Sequence, residues 1–127
     1  MNNLIDTHSL IWFLNGDTNL SAKARKLIEN KNAVNFISIA SLWEIAIKVS
    51  LGKLELSSPF AKRSQQIDRN GFQILPITFA DMLILSELTF HHRAPFDRII
   101  IAQSLSNKLI IISQDRHFNA YGVDLVS

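Results

Sequence analysis

The sequence predicts an α/β fold in which helices cover a parallel β-sheet. Two observations support this prediction: short apolar runs alternate along the chain with longer segments of helical character, and hydrophobic residues make up 47% of the 127 residues. Alternating strands and helices are typical of parallel sheets, and this share of hydrophobic residues is enough for an ordinary core. The chain has no internal repeat or long linker, so we expect one domain over residues 1–127.

Each predicted strand is a short apolar segment. The strands are Asn3–Asp6, Ala33–Ile37, Phe72–Leu75, Leu109–Ile112 and a fifth candidate at Val123–Val126. Pro76 stops the third strand, because proline has no N–H to donate to a neighbouring strand. In open parallel sheets a binding site lies beyond the carboxyl ends of the strands. The residues directly after each strand are therefore the first candidates for function.

The predicted helices begin at residues that can cap them. Thr7, Ser21, Ser38 and Thr78 each carry a hydroxyl that can accept a hydrogen bond from the first turn of a helix. Gly16 is suited to end the first helix, because a left-handed backbone conformation is common at that place. The predicted helical segments are Ser9–Leu14, Ser21–Asn30, Ser38–Val49, Phe60–Arg69, Thr78–Leu88 and Phe96–Ser106.

Composition excludes several classes of protein. The chain has no cysteine, which rules out a disulfide framework and a thiolate metal site. Its N-terminal segment has neither the basic start nor the small-residue cleavage site of a secretory signal. Apolar runs such as Leu109–Ile112 are far too short to span a bilayer. We therefore expect a cytoplasmic protein without membrane contact.

The net charge of +2 and the pI near 9.2 are a weak indication of a polyanionic partner. The distribution of charge is more informative. If four of the 11 acids gather in one pocket, 13 basic residues face seven acidic ones elsewhere, a net charge of +6. Such a surface suits a phosphate backbone held outside and metal ions held inside. An ordinary solvated surface is the alternative.

Three aspartates lie at the ends of predicted elements. Asp6 ends the first strand, Asp97 begins the last helix, and Asp115 follows the fourth strand by three residues. A carboxylate beside an apolar core is costly unless it is paired, hydrogen-bonded or bound to a cation. Each residue also has a structural alternative. Asp6 can cap the first helix together with Thr7, Asp97 can complement the helix dipole, and Asp115 can cap a short turn.

Glu44 lies on a helix that is apolar almost all round. The polar residues of the segment Ser38–Val49 are Ser38, Ser41, Glu44 and Lys48. Steps of three and four keep them in one narrow stripe. We expect this helix to be largely buried, with Glu44 on a thin polar seam. The alternative is an ion pair between Glu44 and Lys48, one helical turn apart.

The four acids together predict a metal site. In a parallel sheet the places of Asp6, Glu44, Asp97 and Asp115 can converge on one edge. Clustered carboxylates repel each other, and a hard divalent cation such as Mg²⁺ or Mn²⁺ relieves the repulsion. A carboxylate-held metal activates water and neutralises phosphate, which is the chemistry of phosphodiester hydrolysis. We expect all four residues to be metal-binding and catalytic.

Two other enzyme classes with acids at strand ends fit less well. A phospho-acceptor receiver domain needs an acidic pair after its first strand, but Ile5 and Thr7 flank Asp6. A haloacid-dehalogenase-type phosphatase needs a second aspartate two positions after the first, where His8 stands. A catalytically idle module with the same fold, which only binds protein or RNA, remains as the alternative.

The chain resembles the PIN-domain ribonucleases, in particular the VapC-like toxins of type II toxin–antitoxin systems. The resemblance covers nearly the whole length, and Ser113 stands where the family often has threonine. The segments that carry it are Leu4–His8, Ser38–Lys48 with Leu51–Leu54, His92–Arg98 with Ile101–Gln103, and Ser113–Phe118 with Tyr121–Gly122.

This resemblance implies a Rossmann-like, three-layer α/β/α sandwich with a central parallel sheet. It implies Mg²⁺- or Mn²⁺-dependent cleavage of RNA by an acidic quartet, which maps onto Asp6, Glu44, Asp97 and Asp115. It also implies a homodimer and inhibition by a cognate antitoxin protein.

Several other residues are expected to be structural or to meet a partner. Trp12, Phe13 and Trp43 are expected in the core or against a partner, and His91 with His92 in a solvated loop. Lys62, Arg63 and Arg69 are expected on the wet face of the fourth helix. The apolar side chains of the first and third helices exceed what one small core can hold, so we expect an apolar groove that accepts an antitoxin helix.

Overall fold

A parallel sheet of five short strands forms the centre of the computed structural model, which describes residues 2–89 and 94–127. The strands are β1 (Asn3–Ile5), β2 (Asn35–Ser38), β3 (Gln73–Leu75), β4 (Ile110–Ile112) and β5 (Leu125–Val126). Their order across the sheet is β3-β2-β1-β4-β5, and all neighbours are parallel. Along the chain, β2 and β3 are added on one side of β1, and β4 and β5 are then added on its other side. The strand order therefore reverses between β1 and β4, where open α/β sheets bind ligands.

Six helices pack against the two faces of this sheet, so the predicted three-layer α/β/α sandwich is confirmed. They are α1 (Thr7–Asn15), α2 (Ala22–Glu29), α3 (Ile39–Ser50), α4 (Arg63–Arg69), α5 (Phe79–Glu87) and α6 (Pro95–Asn107). Short 3-10 segments precede α4 and β5. Within the described ranges, no helix combines the length and the apolar character that crossing a bilayer requires.

The sheet separates two hydrophobic cores. Successive strand residues point to opposite faces, so Ile5 and Ile112 pack with α1, α2, α3 and α4, whereas Leu4 and Ile111 pack with α6. All four of these side chains are fully buried. This alternation explains why the strands are continuous apolar runs, as is typical of sheets covered on both sides.

The capping predictions are confirmed for Ser21, Ser38 and Thr78, each of which accepts a hydrogen bond from the first turn of its helix. The prediction for Thr7 is wrong, because Asp6 caps α1 and Thr7 is the first helical residue. Gly16 ends α1 with a φ of 65°, a conformation that costs a glycine little.

Arg63 is buried, which contradicts its predicted place on a wet helix face. Its side chain is only 4% exposed. The guanidinium donates to the side-chain oxygens of Gln66, Asn15 and Ser57 at 2.8, 2.8 and 3.2 Å. Burial lowers the pKa of this group. Arg63 therefore ties the segment before α4 to the end of α1 with neutral partners.

Helix α3 is less buried than its composition predicts. Trp43 is 61% exposed and lies edge-on against Phe96, with ring centroids 5.2 Å apart, and Ile39 is exposed as well. The polar side of the helix faces inward instead: Ser41 is fully buried and the Glu44 side chain is only 13% exposed. The predicted polar seam exists, and the apolar residues opposite it remain on the surface.

We expect Leu4→Ala to lower the free energy of unfolding by about 2–5 kcal/mol, because it leaves a cavity under the central strand. Leu51→Ala at the end of α3 is the matched control. That side chain is 61% exposed, so its loss should change stability by no more than about 0.5 kcal/mol. Urea denaturation measures both values, and equal losses in the two variants would contradict the assignment of Leu4 to the core.

Candidate active site

Asp6 lies at the point where the strand order of the sheet reverses. It follows β1 directly, and its backbone N–H donates to the carbonyl oxygen of Ile112 at the end of β4. The side chain is 4% exposed. Its Oδ1 accepts a hydrogen bond from the Ser9 N–H at 2.9 Å, and its Oδ2 accepts one from the Ser113 hydroxyl at 2.6 Å. The helix cap and the strand-end carboxylate are therefore the same group.

Burial raises the pKa of Asp6 above its ordinary value of 3.8. The hydrogen bonds from Ser113 and Ser9 and the nearby His8 act in the opposite direction, but they do not outweigh the loss of water. An ionised carboxylate in such surroundings is incompletely compensated, and a bound cation would complete the compensation.

Asp115 is connected to Asp6 through a single hydroxyl. Ser113 donates to Asp6 and accepts a hydrogen bond from the Asp115 N–H at 3.0 Å. The Asp115 carboxylate also caps the following 3-10 segment: its Oδ1 lies 2.9 Å from the His117 backbone nitrogen and 2.8 Å from Nδ1 of that ring. The structural alternative for Asp115 is thus present, and its position beside Asp6 is compatible with both roles.

Glu44 has one partnered and one unpartnered oxygen. Its Oε2 lies 3.0 Å from Nζ of Lys48, which is the ion pair considered from the sequence. Its Oε1 is buried and has no hydrogen-bond partner among the residues that the structure describes. A buried acceptor without a partner is costly, and a cation is one means of satisfying it.

Asp97 lies in the first turn of α6, directly after Pro95 and Phe96. The contact between Phe96 and Trp43 brings this end of α6 against α3, the helix that carries Glu44. Asp97 thus sits where it complements the helix dipole, as expected. His91 and His92 lie outside the described residues.

Hydrogen bonds connect two of the four acids: Asp6 and Asp115 share the Ser113 hydroxyl. Glu44 and Asp97 each follow, in sequence, one of the two aromatic residues whose rings join α3 to α6. Within residues 2–89 and 94–127, no three His, Asp or Glu side chains are arranged to hold a metal ion. The donor set nevertheless fits Mg²⁺ or Mn²⁺, because all candidate ligands are carboxylates and Glu44 Oε1 is unpartnered.

From the sequence, Ser113 is only a hydroxyl at a position where the family often has threonine, with no predicted role. Its signal was its position directly after a buried strand, on the strand that neighbours β1. The contact of the His117 ring with the Asp115 carboxylate depends on side-chain geometry that the sequence pattern does not contain.

We expect Asp6→Asn to stabilise the metal-free protein at neutral pH. Because the pKa of Asp6 is raised, the folded protein keeps a proton that the unfolded chain has released. Its contribution to stability is therefore largest at acidic pH and decreases as the pH rises from the ordinary value of 3.8 through the raised pKa. Asparagine stays neutral throughout.

Thermal unfolding in EDTA between about pH 4 and about pH 8 measures this effect. The melting temperature of the variant relative to the wild type should increase with pH. A difference that does not change with pH would contradict the proposed cost of the buried charge.

Comparison with known proteins gives a consistent result. The profile of the PIN domain family matches residues 4–124. None of the curated proteins matches the sequence. A chain of VapBC2 from Rickettsia felis, in a structure bound to a DNA fragment from the VapBC2 promoter, superposes on this chain with a TM-score of 0.74 at 16% identity. The match covers 99% of this chain and 98% of that one.

Two further structures show the same fold. A toxin–antitoxin complex from Klebsiella pneumoniae has a TM-score of 0.65 at 18% identity, over 98% of this chain and 96% of that one. The PIN domain endonuclease Utp24 has a TM-score of 0.55 at 12% identity, over 99% and 96%. The family match spans almost the whole chain, and this protein therefore belongs to the PIN domain family.

Proposed function

We propose that this protein is an endoribonuclease that depends on Mg²⁺ or Mn²⁺. The observation that carries the proposal is the buried Asp6 carboxylate, held by Ser113 at the carboxyl ends of the paired strands β1 and β4 in a PIN fold. Carboxylates in such a crevice suit phosphodiester hydrolysis better than any other chemistry that these residues support. The similarity to Utp24, which is described as an endonuclease, is consistent with this assignment.

Asp6, Glu44, Asp97 and Asp115 would hold the metal. When bound, the ion supplies activation of the attacking water and neutralisation of the phosphate charge. Ser113 and the Ser9 N–H hold the two oxygens of Asp6 in fixed directions. Groups of this kind orient the ligands of a metal, and their loss typically costs about 10–100-fold in affinity or activity.

A catalytically idle PIN domain is the second candidate, and one observation favours it. Lys48 neutralises Glu44, and Ser113 and His117 satisfy Asp6 and Asp115, so these three carboxylates all have partners without a metal. The unpartnered Glu44 Oε1 is the point against this candidate. A cleavage assay separates the two functions directly.

We further propose that the protein is the toxin of a toxin–antitoxin pair. Similar structures are described as VapBC2 and as a toxin–antitoxin complex. The surface offers apolar area for an antitoxin: an open cavity of about 230 Å³ lies between α3 and α4, lined in part by Leu42, Phe60, Ile67 and Ile74. Within the described residues, the space between α1 and α3 offers no comparable groove: its cavity measures only about 10 Å³. Leu56 and Phe60 line that cavity and pack against the core there.

The homodimer implied by the resemblance has a separate surface available. Phe79 and Leu83 project one turn apart from α5 and are 77% and 54% exposed. Large exposed apolar side chains on one helix face are typical of a protein contact. We propose this face of α5 as part of the dimer interface.

We expect Asp6→Asn and Glu44→Gln to reduce the rate of RNA cleavage in Mg²⁺ or Mn²⁺ by at least about 100-fold, the upper end of the range for losing a supporting group. Glu29→Gln, an exposed residue at the end of α2, is the control and should cleave like the wild type.

Metal at a hundredfold excess over Kd should stabilise the folded wild type by about 2.7 kcal/mol and so raise its melting temperature. The melting temperature of Asp97→Asn should not rise under the same conditions. Full activity of Asp6→Asn would refute the assignment.

We expect a small protein encoded by the neighbouring reading frame to copurify with this chain when the two are expressed together. Expression of the chain alone should stop growth, and co-expression should restore it. Leu42→Asp, placed in the apolar cavity between α3 and α4, should weaken copurification, because a charge there would be buried on binding. Normal growth with the chain alone would contradict the toxin assignment and leave the nuclease assignment untouched.

A further inference from the structure

A polar cavity of about 570 Å³ lies beside the candidate active site. Ser113, the residue that holds Asp6, forms part of its wall, and the cavity extends from there along the carboxyl ends of β4 and β5. Its other walls include Ser21, Gln114, Arg116 and Asn119. A volume of this size is within the usual range for a small-molecule site, about 300–1,000 Å³.

We propose that this cavity is a nucleotide subsite, which binds one nucleotide of single-stranded RNA next to the bond that is cleaved. The inference rests on the proposed function for the identity of the substrate. It adds a place for a flanking base and phosphate, and it names Gln114, Asn119 and Arg116 as the residues that recognise them.

The side chains of the cavity match the chemistry of a nucleotide. Gln114 and Asn119 carry amides, which donate and accept hydrogen bonds and so complement the edge of an unpaired base. Arg116 carries a planar guanidinium, which suits a phosphate better than any other side chain does. Ser21 adds a hydroxyl, and Leu125 adds apolar surface on which a base can lie.

The Arg116 guanidinium is available for an anion. Arg116 is exposed, and no carboxylate of residues 2–89 or 94–127 lies in ion-pair distance of it. A basic group in a polar cavity that adjoins the site of phosphate cleavage is well placed to hold the next phosphate of the chain.

Two walls of the cavity are held by hydrogen bonds within the protein. Gln114 Nε2 donates to the Asn19 carbonyl oxygen at 2.7 Å, and the Asn19 N–H in turn donates to Asp17 at 2.8 Å. Ser21 Oγ donates to the Ser127 carbonyl oxygen at 3.1 Å. The first bond ties the loop after β4 to the segment between α1 and α2, and the last ties that segment to the residue after β5; such preorganisation favours affinity.

The order Gln114, Asp115, Arg116 also connects the cavity with the candidate metal site. Asp115 hydrogen-bonds through its N–H to Ser113 on the side of Asp6, whereas Gln114 and Arg116 line the cavity. One short loop therefore contributes to both places. A nucleotide in the cavity would contact the residues on either side of Asp115, and so lie next to the candidate site for cleavage of the RNA backbone.

A salt titration of RNA binding tests the phosphate contact. The wild type and each variant are mixed with fluorescein-labelled single-stranded RNA in EDTA, so that no cleavage occurs. Kd is then measured across a range of salt concentrations. Arg116→Gln should lower the slope of log K against log [salt] by about 0.7, the value for one phosphate contact with a single strand. Arg69→Gln removes a charge from a cavity of about 510 Å³ that shares no lining residue with this one, and it should leave the slope unchanged.

A comparison of RNA sequences tests the base contact. Oligonucleotides that differ at one position are bound by the wild type, Gln114→Ala and Asn119→Ala under the same conditions. The wild type should prefer one base by about fivefold or more, the lower end of the range for a bidentate amide contact. Both variants should lose this preference and keep the salt slope. Circular dichroism of each variant confirms its fold, and Asn119→Ala removes no side-chain hydrogen bond among the described residues.

The outcomes separate the two proposals. Wild-type RNA binding with an Arg116-dependent slope, but without cleavage in Mg²⁺ or Mn²⁺, overturns the proposed ribonuclease activity and leaves the subsite standing. Cleavage by the wild type, with an unchanged slope in Arg116→Gln and unchanged base preference in Gln114→Ala and Asn119→Ala, overturns the subsite. An equal change of slope in Arg69→Gln also overturns it, because the charge would then act at no particular place.

Discussion

The Asp6 carboxylate has to be kept in surroundings that contain almost no water, and much of the structure around it serves that requirement. Ser9 offers a backbone N–H and Ser113 a hydroxyl, one to each oxygen. These donors come from the first turn of α1 and from the residue after β4, so the carboxylate depends on the pairing of β1 with β4. Burial raises the pKa of this carboxyl, and perturbed pKa values of this kind are typical of functional sites.

Three of the four candidate acids have a structural role in the fold. Asp6 and Asp115 each cap a helical segment, and Glu44 pairs with Lys48 on its own helix. From the sequence these roles were alternatives to metal binding. In the structure they hold the carboxylates in position at the sheet edge, because a cap uses one oxygen and fixes the direction of the other.

The order of strands and helices and the places of the site acids could be predicted from the sequence, because apolar periodicity and capping residues act locally. Ser38 and Thr78 cap their helices as predicted. The burial of Arg63 could not be predicted, since its acceptors, Asn15 and Ser57, come from distant parts of the chain. The exposure of Trp43 could not be predicted either, since its helix is apolar around most of its circumference and only tertiary packing decides which side faces solvent.

The register of β1 is fixed, because this strand of three residues supplies side chains to two cores on opposite faces of the sheet. Leu4 and Ile5 belong to different cores, and Asp6 follows immediately. Insertion of a single residue into β1 would exchange the two faces and also carry the carboxylate past the end of β4. Arg116 and Asn119, which follow β4, are exposed and face an open cavity, so exchange of these side chains leaves the register of the strands unchanged. The cavity can therefore be altered by single substitutions, whereas a change in the length of β1 acts on both cores and on the carboxylate at once.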